Sequence, residues 1–230
     1  EFRRVLFRSN MLEKVLSFFY LTDLYKLVLI FMIGSFIGYI VEMLYCYLKN
    51  GRFESRKGVI YGPFSPVYGF GAIVFTILLY RLEHFNAFII FVVSAVVGAI
   101  FEYICSFVQE KTIGTISWQY NKTPLNLGGR TSGLYALYWG VLGLIFLRHT
   151  LPYIEIKIDE IPTELAILIA FTFGIFITID LIISALAVRR QSSRAHGKKT
   201  RNHIDIFLDK HYPYERLKKI YPNMIVIKKK

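Results

Sequence analysis

Two glutamates inside apolar segments are the residues of this sequence whose type and position could do chemistry. Glu42 and Glu102 each lie within a stretch long enough to cross a membrane, and they are 60 positions apart. A carboxylate that faces lipid is costly, so each side chain is expected to face protein or a polar cavity. In such a cavity the carboxylates would bind a proton, another cation or an amine.

Each glutamate belongs to a stripe of small residues on one face of its helix. The two stripes place a residue at every fourth position, as Gly34, Gly38, Glu42 and Cys46 and as Ser94, Gly98, Glu102 and Ser106. Residues four apart share a helix face, and small residues let a neighbouring helix approach closely. The sequence therefore predicts a repeated unit of helix, basic loop and helix, covering 24–80 and 86–149.

Each predicted unit has an even number of spans, so both copies would enter the membrane from the same side. That arrangement is a parallel repeat, with its axis along the membrane normal. The two glutamates would then lie at equivalent depths and could converge on that axis.

The loop inside each unit is rich in basic, aromatic and glycine residues. The first loop, residues 50–71, reads NGRFESRKGVIYGPFSPVYGFG, and residues 118–143 have similar chemistry. Its arginines could pair with Glu42, as Arg130 could with Glu102, or they could bind an anionic group such as phosphate. The predicted site residues are Glu42, Glu102, Arg52, Arg56, Arg130, Tyr61 and Asn126.

Composition indicates a polytopic all-α membrane protein. Hydrophobic residues make up 54% of the chain, and the mean hydropathy is +0.44. A helix needs roughly 20 apolar residues to cross a hydrocarbon core of about 30 Å. Five spans are predicted, near 24–48, 62–80, 86–108, 131–149 and 163–188, with a short external connector between the last two. Asp180 in the fifth span is either paired with another helix or placed close to the membrane interface, or it is an ion or proton ligand.

The net charge of +12 is concentrated in the tail after the fifth span. Residues 189–230 contain 13 Lys and Arg against 3 Asp and Glu. This position favours a basic cytoplasmic tail that contacts anionic lipids, and it argues against nucleic acid as a partner. The connections also alternate in Lys and Arg content, which places the N-terminus outside and the C-terminus in the cytoplasm of a bacterial inner membrane.

Several other features carry little chemistry. Residues 1–10 precede Met11, do not resemble a signal peptide and are expected to be a non-native leader, with 11–23 interfacial or flexible. Cys46 and Cys105 lie in apolar helices and give no disulfide framework. No phosphate loop and no metal-ligand spacing is recognisable, so no ATP site, cofactor or metal is expected.

Two sequence blocks carry a resemblance to a known family. GRFESRKGVIYGPFSPVYGFGA, and ISWQYNKTPLNLGGR followed by YWGVLG, resemble the putative ABC-transporter type IV membrane family, a group of bacterial multi-span proteins, over residues 30–147. The family pattern has cysteine where this chain has Ser65 and aspartate where it has Gln119, which argues against chemistry that needs either group. The resemblance implies that the chain is a multi-span membrane protein. It would be a permease subunit, and a separate ATPase would be its partner.

The favoured hypothesis is a transport or permease-like component with a polar site around the two glutamates. The alternatives are a membrane-embedded enzyme acting on a lipid or lipid-linked phosphate, and a scaffold or regulatory membrane protein. An enzyme is the less favoured of these classes. The expected partners are membrane lipids, a separate ATPase subunit and a second copy of the chain.

Overall fold

The computed structural model describes residues 21–82, 84–200 and 202–227. The predicted leader 1–10 and residues 11–20 of the predicted interfacial segment lie outside these ranges. In chain order the helices are α1 (Leu21–Asn50), α2 (Pro66–Leu79), α3 (Ala87–Ile113), α4 (Gly133–Ile145), α5 (Leu151–Asp159), α6 (Thr163–Ala195), α7 (His203–His211) and α8 (Tyr214–Ile220). The strands are β1 (Thr115–Ile116), β2 (Asn126–Leu127), β3 (Thr131–Ser132) and β4 (Ile225–Val226).

The all-α membrane architecture predicted from the sequence is confirmed. Four helical segments in the described part of the chain are long and apolar enough to span a membrane: Leu24–Asn50, Ala87–Ile113, Gly133–Asp159 and Thr163–Ala195. These four correspond to the first, third, fourth and fifth predicted spans.

The second predicted span forms a shorter helix than the sequence suggested. Helix α2 has 14 residues, which is about 21 Å at a rise of about 1.5 Å per residue. It begins at Pro66, and a short 3₁₀ turn, Tyr80–Leu82, follows it. In the non-helical segment before Pro66, the amides of residues 60–62 bind Asp180 of α6, and the Ser65 amide binds the Ser35 carbonyl of α1.

Helices α1 and α2 pack as one pair, and α3 and α4 pack as a second pair in the same way. In the first pair Gly38 lies directly beneath the Tyr68 side chain, so that a Cβ at position 38 would overlap it. In the second pair Gly98 lies beneath Trp139 in the same manner. Close approach of this kind is what a small-residue stripe permits.

The predicted external connector after residue 149 is instead helical. A π-helical turn, Phe146–Thr150, joins α4 to α5, and α5 continues to Asp159. Pro152 has no backbone N–H for the carbonyl four residues earlier, which accounts for the altered turn at this place. Leu151, Ile154 and Ile158 of α5 are buried in the main apolar cluster, so this segment is part of the bundle.

The C-terminal tail is folded against the loops of both helix pairs. Strand β4 pairs antiparallel with β1, with Thr115 opposite Val226 and Ile116 opposite Ile225. The Ser55 hydroxyl donates to the carbonyl of Ile220 at 2.8 Å. The mixture of apolar and basic residues in this part of the tail is compatible with an interfacial helix or with a docking segment, and the contacts with both loops are those of a docking segment.

Candidate functional site

Glu42 is held by a tyrosine of the partner helix. It lies half-buried on α1, and the Tyr68 hydroxyl of α2 donates a hydrogen bond to its Oε1 at 2.7 Å. Tyr68 reaches the carboxylate because Gly38, one turn earlier on α1, leaves room for the ring. The small-residue stripe therefore positions the side chain that orients Glu42.

Glu102 is held by a tyrosine from the second loop. The Tyr120 hydroxyl donates to its Oε1 at 2.9 Å, and the side chain of Glu102 is only 6% exposed. Its other oxygen, Oε2, is buried and has no hydrogen-bond partner among the described residues. Thr131 and Trp139 face the same carboxyl group, and the Thr131 hydroxyl is likewise buried without a partner.

The two carboxyl groups lie within electrostatic range of each other and of both tyrosines. Tyr120 stacks on Tyr135, with 3.8 Å between ring centroids, and the rings of Tyr68 and Trp139 are 5.9 Å apart. Aromatic rings of the two helix pairs therefore meet where Tyr68 contacts Trp139. Burial first, and the charge of Glu102 second, raise the pKa of Tyr120, so this phenol stays protonated and serves as a donor.

The arginines of the two loops bind other acids. Arg130 makes a short ion pair with Glu110, and its Nη1 donates to Ser106 Oγ at 3.4 Å. The predicted pairing of Arg130 with Glu102 is therefore wrong. The Tyr120 hydroxyl binds Glu102 Oε1, and Arg130 instead binds Glu110, which lies two turns after Glu102 on α3.

The first loop repeats this arrangement in weaker form. Arg52 binds Glu54 at 2.8 Å, and Arg56 lies 3.9 Å from the same carboxylate. The Arg56 Nη2 also donates to Cys46 Sγ at 3.4 Å. Neither arginine hydrogen-bonds Glu42, although Arg56 is within electrostatic range of it. Cys46 and Ser106 thus have the same role in the two stripes, because each accepts a hydrogen bond from an arginine of its own loop.

Asp180 fixes the backbone of the first loop. Its two carboxylate oxygens accept hydrogen bonds from the backbone amides of Ile60, Tyr61 and Gly62 at 2.9 to 3.2 Å. Ser184, one turn later on α6, adds a bond to the Asp180 carboxylate at 3.1 Å. These amides satisfy the buried charge, so the structural pairing considered for Asp180 is the one observed, and its partner is a loop.

The tail is anchored by an aromatic and an ionic contact. Tyr212 is 2% exposed, and its hydroxyl lies 2.6 Å from that of Tyr61 in the first loop. Burial and this hydrogen bond raise the pKa of Tyr212 to about 12. Asp209 of α7 accepts bonds from Arg190 and Arg194 on α6 at 2.7 to 3.0 Å.

A cavity of about 390 Å³ lies between the second loop and the tail. Its polar walls are formed by Ser106, Glu110, Trp118, Gln119, Asn121 and Arg130. Residues 225–227 of the tail close one side of it. The cavity adjoins the Glu102 stripe, because Ser106 is the next residue of that stripe.

Residues 29–185 match the family described as "Putative ABC-transporter type IV". The chain belongs to this family. The matched range runs from the middle of α1 to the middle of α6, and it includes both glutamates and both loops. No curated protein and no solved structure matches the chain. Family membership and the long apolar helices make the protein a membrane protein of a transporter-type family, for which a separate ATPase is a natural partner.

Two of the predicted site residues, Tyr61 and Asn126, have their contacts away from the glutamates. Tyr61 is half-exposed and directed to Tyr212 of the tail. The Asn126 side chain binds within its own loop, donating to the Thr123 carbonyl at 2.9 Å and accepting from the Gly129 amide at 3.1 Å. The structure thus gives both residues a contact that shapes a loop or holds the tail.

Sequence analysis missed the two tyrosines and the threonine that contact the carboxyl groups. Tyr68 could have been found, because it is a polar aromatic residue at the start of the helix that packs on the Gly38 stripe. Tyr120 and Thr131 lie in a loop whose path no local pattern specifies. Among the described residues no cluster of three or more His, Cys, Asp or Glu could hold a metal ion, and so the site offers two carboxylates and hydroxyl groups only.

Proposed function

We propose that the protein is an integral membrane transport or permease-like component in which Glu42 and Glu102 form the binding site. The ligand at the carboxylates is a cationic species, namely a proton, a monovalent cation or an amine. The chain has no ATP site of its own in this account, and a separate ATPase subunit supplies the energy. Arg56 and Arg130 bind Cys46 and Ser106, the stripe residues one turn after the glutamates. Both arginines lie on the cytoplasmic side in this account, and their charges act on a ligand that approaches the glutamates.

One observation carries this proposal. Glu102 is buried in the membrane-spanning part of the bundle, and among the described residues its carboxyl group meets only neutral side chains, since the Tyr120 hydroxyl binds it and Thr131 and Trp139 face it. A buried carboxylate without a cationic partner costs several kcal/mol, by an order-of-magnitude argument, and is retained in membrane proteins mainly for function. A bound proton or cation would remove that cost.

The repeated geometry supports the same proposal. Each glutamate accepts one hydrogen bond from a tyrosine, and the two carboxyl groups interact electrostatically. Like charges in one low-dielectric site favour uptake of a positive charge between them. The site would open to the cytoplasm of a bacterial inner membrane, with the N-terminus outside, since the two loops next to it are richer in Lys and Arg than the other two connections between helices.

The enzyme hypothesis receives less support from this arrangement. It needs arginines that hold a lipid phosphate close to a glutamate acting as acid or base. Arg52 is taken up by Glu54, and Arg130 by Glu110. Arg130 is therefore paired with an acid of its own, and Arg52 and Arg56 share the single carboxylate of Glu54.

Thermal unfolding of the purified protein in the presence of cations tests the proposal. Sodium, potassium and methylammonium would be titrated against wild type, Glu42→Gln and Glu102→Gln, with Glu164→Gln at the exposed start of α6 as the matched control. A ligand at 100 times its Kd stabilises the folded state by about 2.7 kcal/mol. At least one cation, or a fall in pH, should stabilise wild type and the control but not the two site variants. Equal stabilisation of all four proteins would contradict the proposal.

A further inference from the structure

We infer that the cavity between the second loop and the tail is the cytoplasmic entrance to Glu102, and that strand β4 is its removable outer wall. The cavity admits a small polar solute that carries charged groups of either sign. This inference rests on the proposed role of Glu102, and it adds a second, solvent-facing site to it.

The position of the cavity follows from the Glu102 stripe. Ser106 is one turn beyond Glu102 on α3 and Glu110 is one turn beyond that, and both line the cavity. Arg130 bridges these two residues from the loop. The cavity therefore begins at the stripe residue that follows Glu102, one helical turn or about 5.4 Å along the axis of α3.

The chemistry of the walls selects the class of solute. Arg130 and Glu110 present opposite charges side by side, while Gln119 and Asn121 contribute amide donors and acceptors. Pockets that hold small molecules have volumes of about 300 to 1,000 Å³, and this cavity lies in that range. A small zwitterionic or hydrogen-bonding solute fits such walls better than an apolar one.

The outer wall is a short segment with few attachments. Strand β4 has two residues, paired with β1, and the Ile227 amide adds one bond to the Gly114 carbonyl at 3.2 Å. The segment before it is held more firmly, since Leu217 of α8 is completely buried. Two-residue strands lie at the low end of local stability, so β4 can leave while α7 and α8 stay docked.

Thiol accessibility tests the entrance and its wall. Ser106→Cys would be made in a chain whose own cysteines are replaced by Cys46→Ser and Cys105→Ala. The change at 106 is mild, because the first stripe has a cysteine at the equivalent place, Cys46. A charged, membrane-impermeant thiosulfonate reagent is then applied to the full chain and to a chain ending at Asn223, which lacks the strand.

We expect slow labelling of position 106 in the full chain and labelling faster by about tenfold or more without the strand, a factor equivalent to about 1.4 kcal/mol of docking. Ser94→Cys, two turns before Glu102 on the same stripe and completely buried, should stay unlabelled in both chains. Equal labelling rates at position 106, or no labelling in either chain, would overturn the inference. Labelling of position 94 after truncation would mean that the bundle itself has loosened. In that case the full-length Ile227→Pro variant, which removes the bond to Gly114, is used in place of the truncated chain, and the same acceleration at position 106 is expected.

A second readout separates this inference from the proposed function. Labelled Ser106→Cys protein should lose the cation-dependent thermal stabilisation that its unlabelled form retains. Faster labelling without any cation effect in wild type would support the wall and contradict the proposed function. A cation effect that survives complete labelling would contradict the entrance and leave the carboxylate site standing.

Discussion

Tyr68 and Trp139 cover equivalent glycines in the two halves of the bundle. Tyr68 lies on Gly38 and Trp139 lies on Gly98, and the centroids of the two rings are 5.9 Å apart. Each glycine is one turn before the glutamate of its helix. The same packing device therefore brings each helix pair together and places the two carboxyl groups near one another.

Valine at either covered glycine should destabilise the bundle. A Cβ at position 38 or 98 already overlaps the aromatic ring above it, and overpacking of this kind costs about 1 to 3 kcal/mol. Unfolding of the purified variants in mild detergent measures the loss. Gly174→Ala is the matched control, since the nearest atom to a Cβ there is 3.9 Å away. A fully stable Gly98→Val protein would contradict the packing described for α3 and α4.

Removing the Tyr120 hydroxyl should leave Glu102 without its donor. In Tyr120→Phe the buried carboxyl group would lose the hydrogen bond from the tyrosine, at a cost of about 1 to 3 kcal/mol in the ligand-free protein. Tyr214→Phe, at an exposed tyrosine of α8, should be neutral in the same unfolding assay. The cost should shrink when a cation that binds the site is added. Unchanged stability of Tyr120→Phe would argue against the hydrogen bond as an element of the site.

Replacing Asp180 should loosen the first loop and not the second. Asparagine offers one carbonyl oxygen where the carboxylate offers two, so Asp180→Asn loses part of the charge-assisted bonding to the amides of residues 60–62. Hydrogen exchange should become faster at those amides by about tenfold or more, the factor that 1.4 kcal/mol represents. The Tyr120 amide, bonded to the Gly129 carbonyl, serves as the internal control. Equal acceleration in both loops would indicate general unfolding.

Docking of the tail should weaken in acid. The hydrogen bond from Arg190, followed by the charges of Arg190 and Arg194, lowers the pKa of Asp209 below its ordinary value of about 4. A lowered folded pKa contributes stability at pH values above the unfolded pKa and loses it as pH falls through the folded pKa. Exchange protection of the Tyr212 and Leu217 amides, which bond the Leu208 and Pro213 carbonyls in the α7–α8 segment, should be flat from neutral pH to about 5 and should fall below about 4, after correction for intrinsic rates. Asp209→Asn should be less protected throughout and should lack this step.

The two small-residue stripes could be predicted because their signal is local to single helices. Spacing four on one helix determines which residues share a face, whatever the neighbours are, and the glutamates and small residues of α1 and α3 follow that rule. The same logic predicted that the two carboxyl groups would lie at equivalent places. What packs on each stripe depends on the partner helix, and so the contrast between Tyr68 and Trp139 emerged only from the structure.

The loop contacts could not be predicted for a different physical reason. The path of the second loop depends on three residues with positive φ, Leu125, Gly128 and Gly129, and such turns carry no periodic pattern. Tyr120 therefore reaches Glu102 by a route that the sequence does not specify. The ion pairs of the first loop were easier to predict. Glu54 is two residues from both Arg52 and Arg56, so it competes with the more distant Glu42 for these arginines.

The sequence of the distal tail mixes apolar and basic residues, which left an interfacial helix and a docking segment as alternatives. Leu208, Tyr212 and Leu217 are spaced four to five apart and are buried together against α6 and the first loop. A run that mixes such spacing with lysines is typical of an amphipathic docking segment as much as of a membrane-surface helix. Net charge could not distinguish these two structures.

Modification of Glu102 by a hydrophobic carbodiimide tests the central claim most directly. Such reagents react with protonated carboxyl groups in apolar surroundings, and mass spectrometry reports the modified position in the intact protein. The account predicts modification of Glu102 that falls as pH rises and is slowed by a bound monovalent cation or amine, while Glu164 stays unmodified. Modification of Glu102 that no cation slows and that pH does not change would contradict a cation-binding site at the paired glutamates.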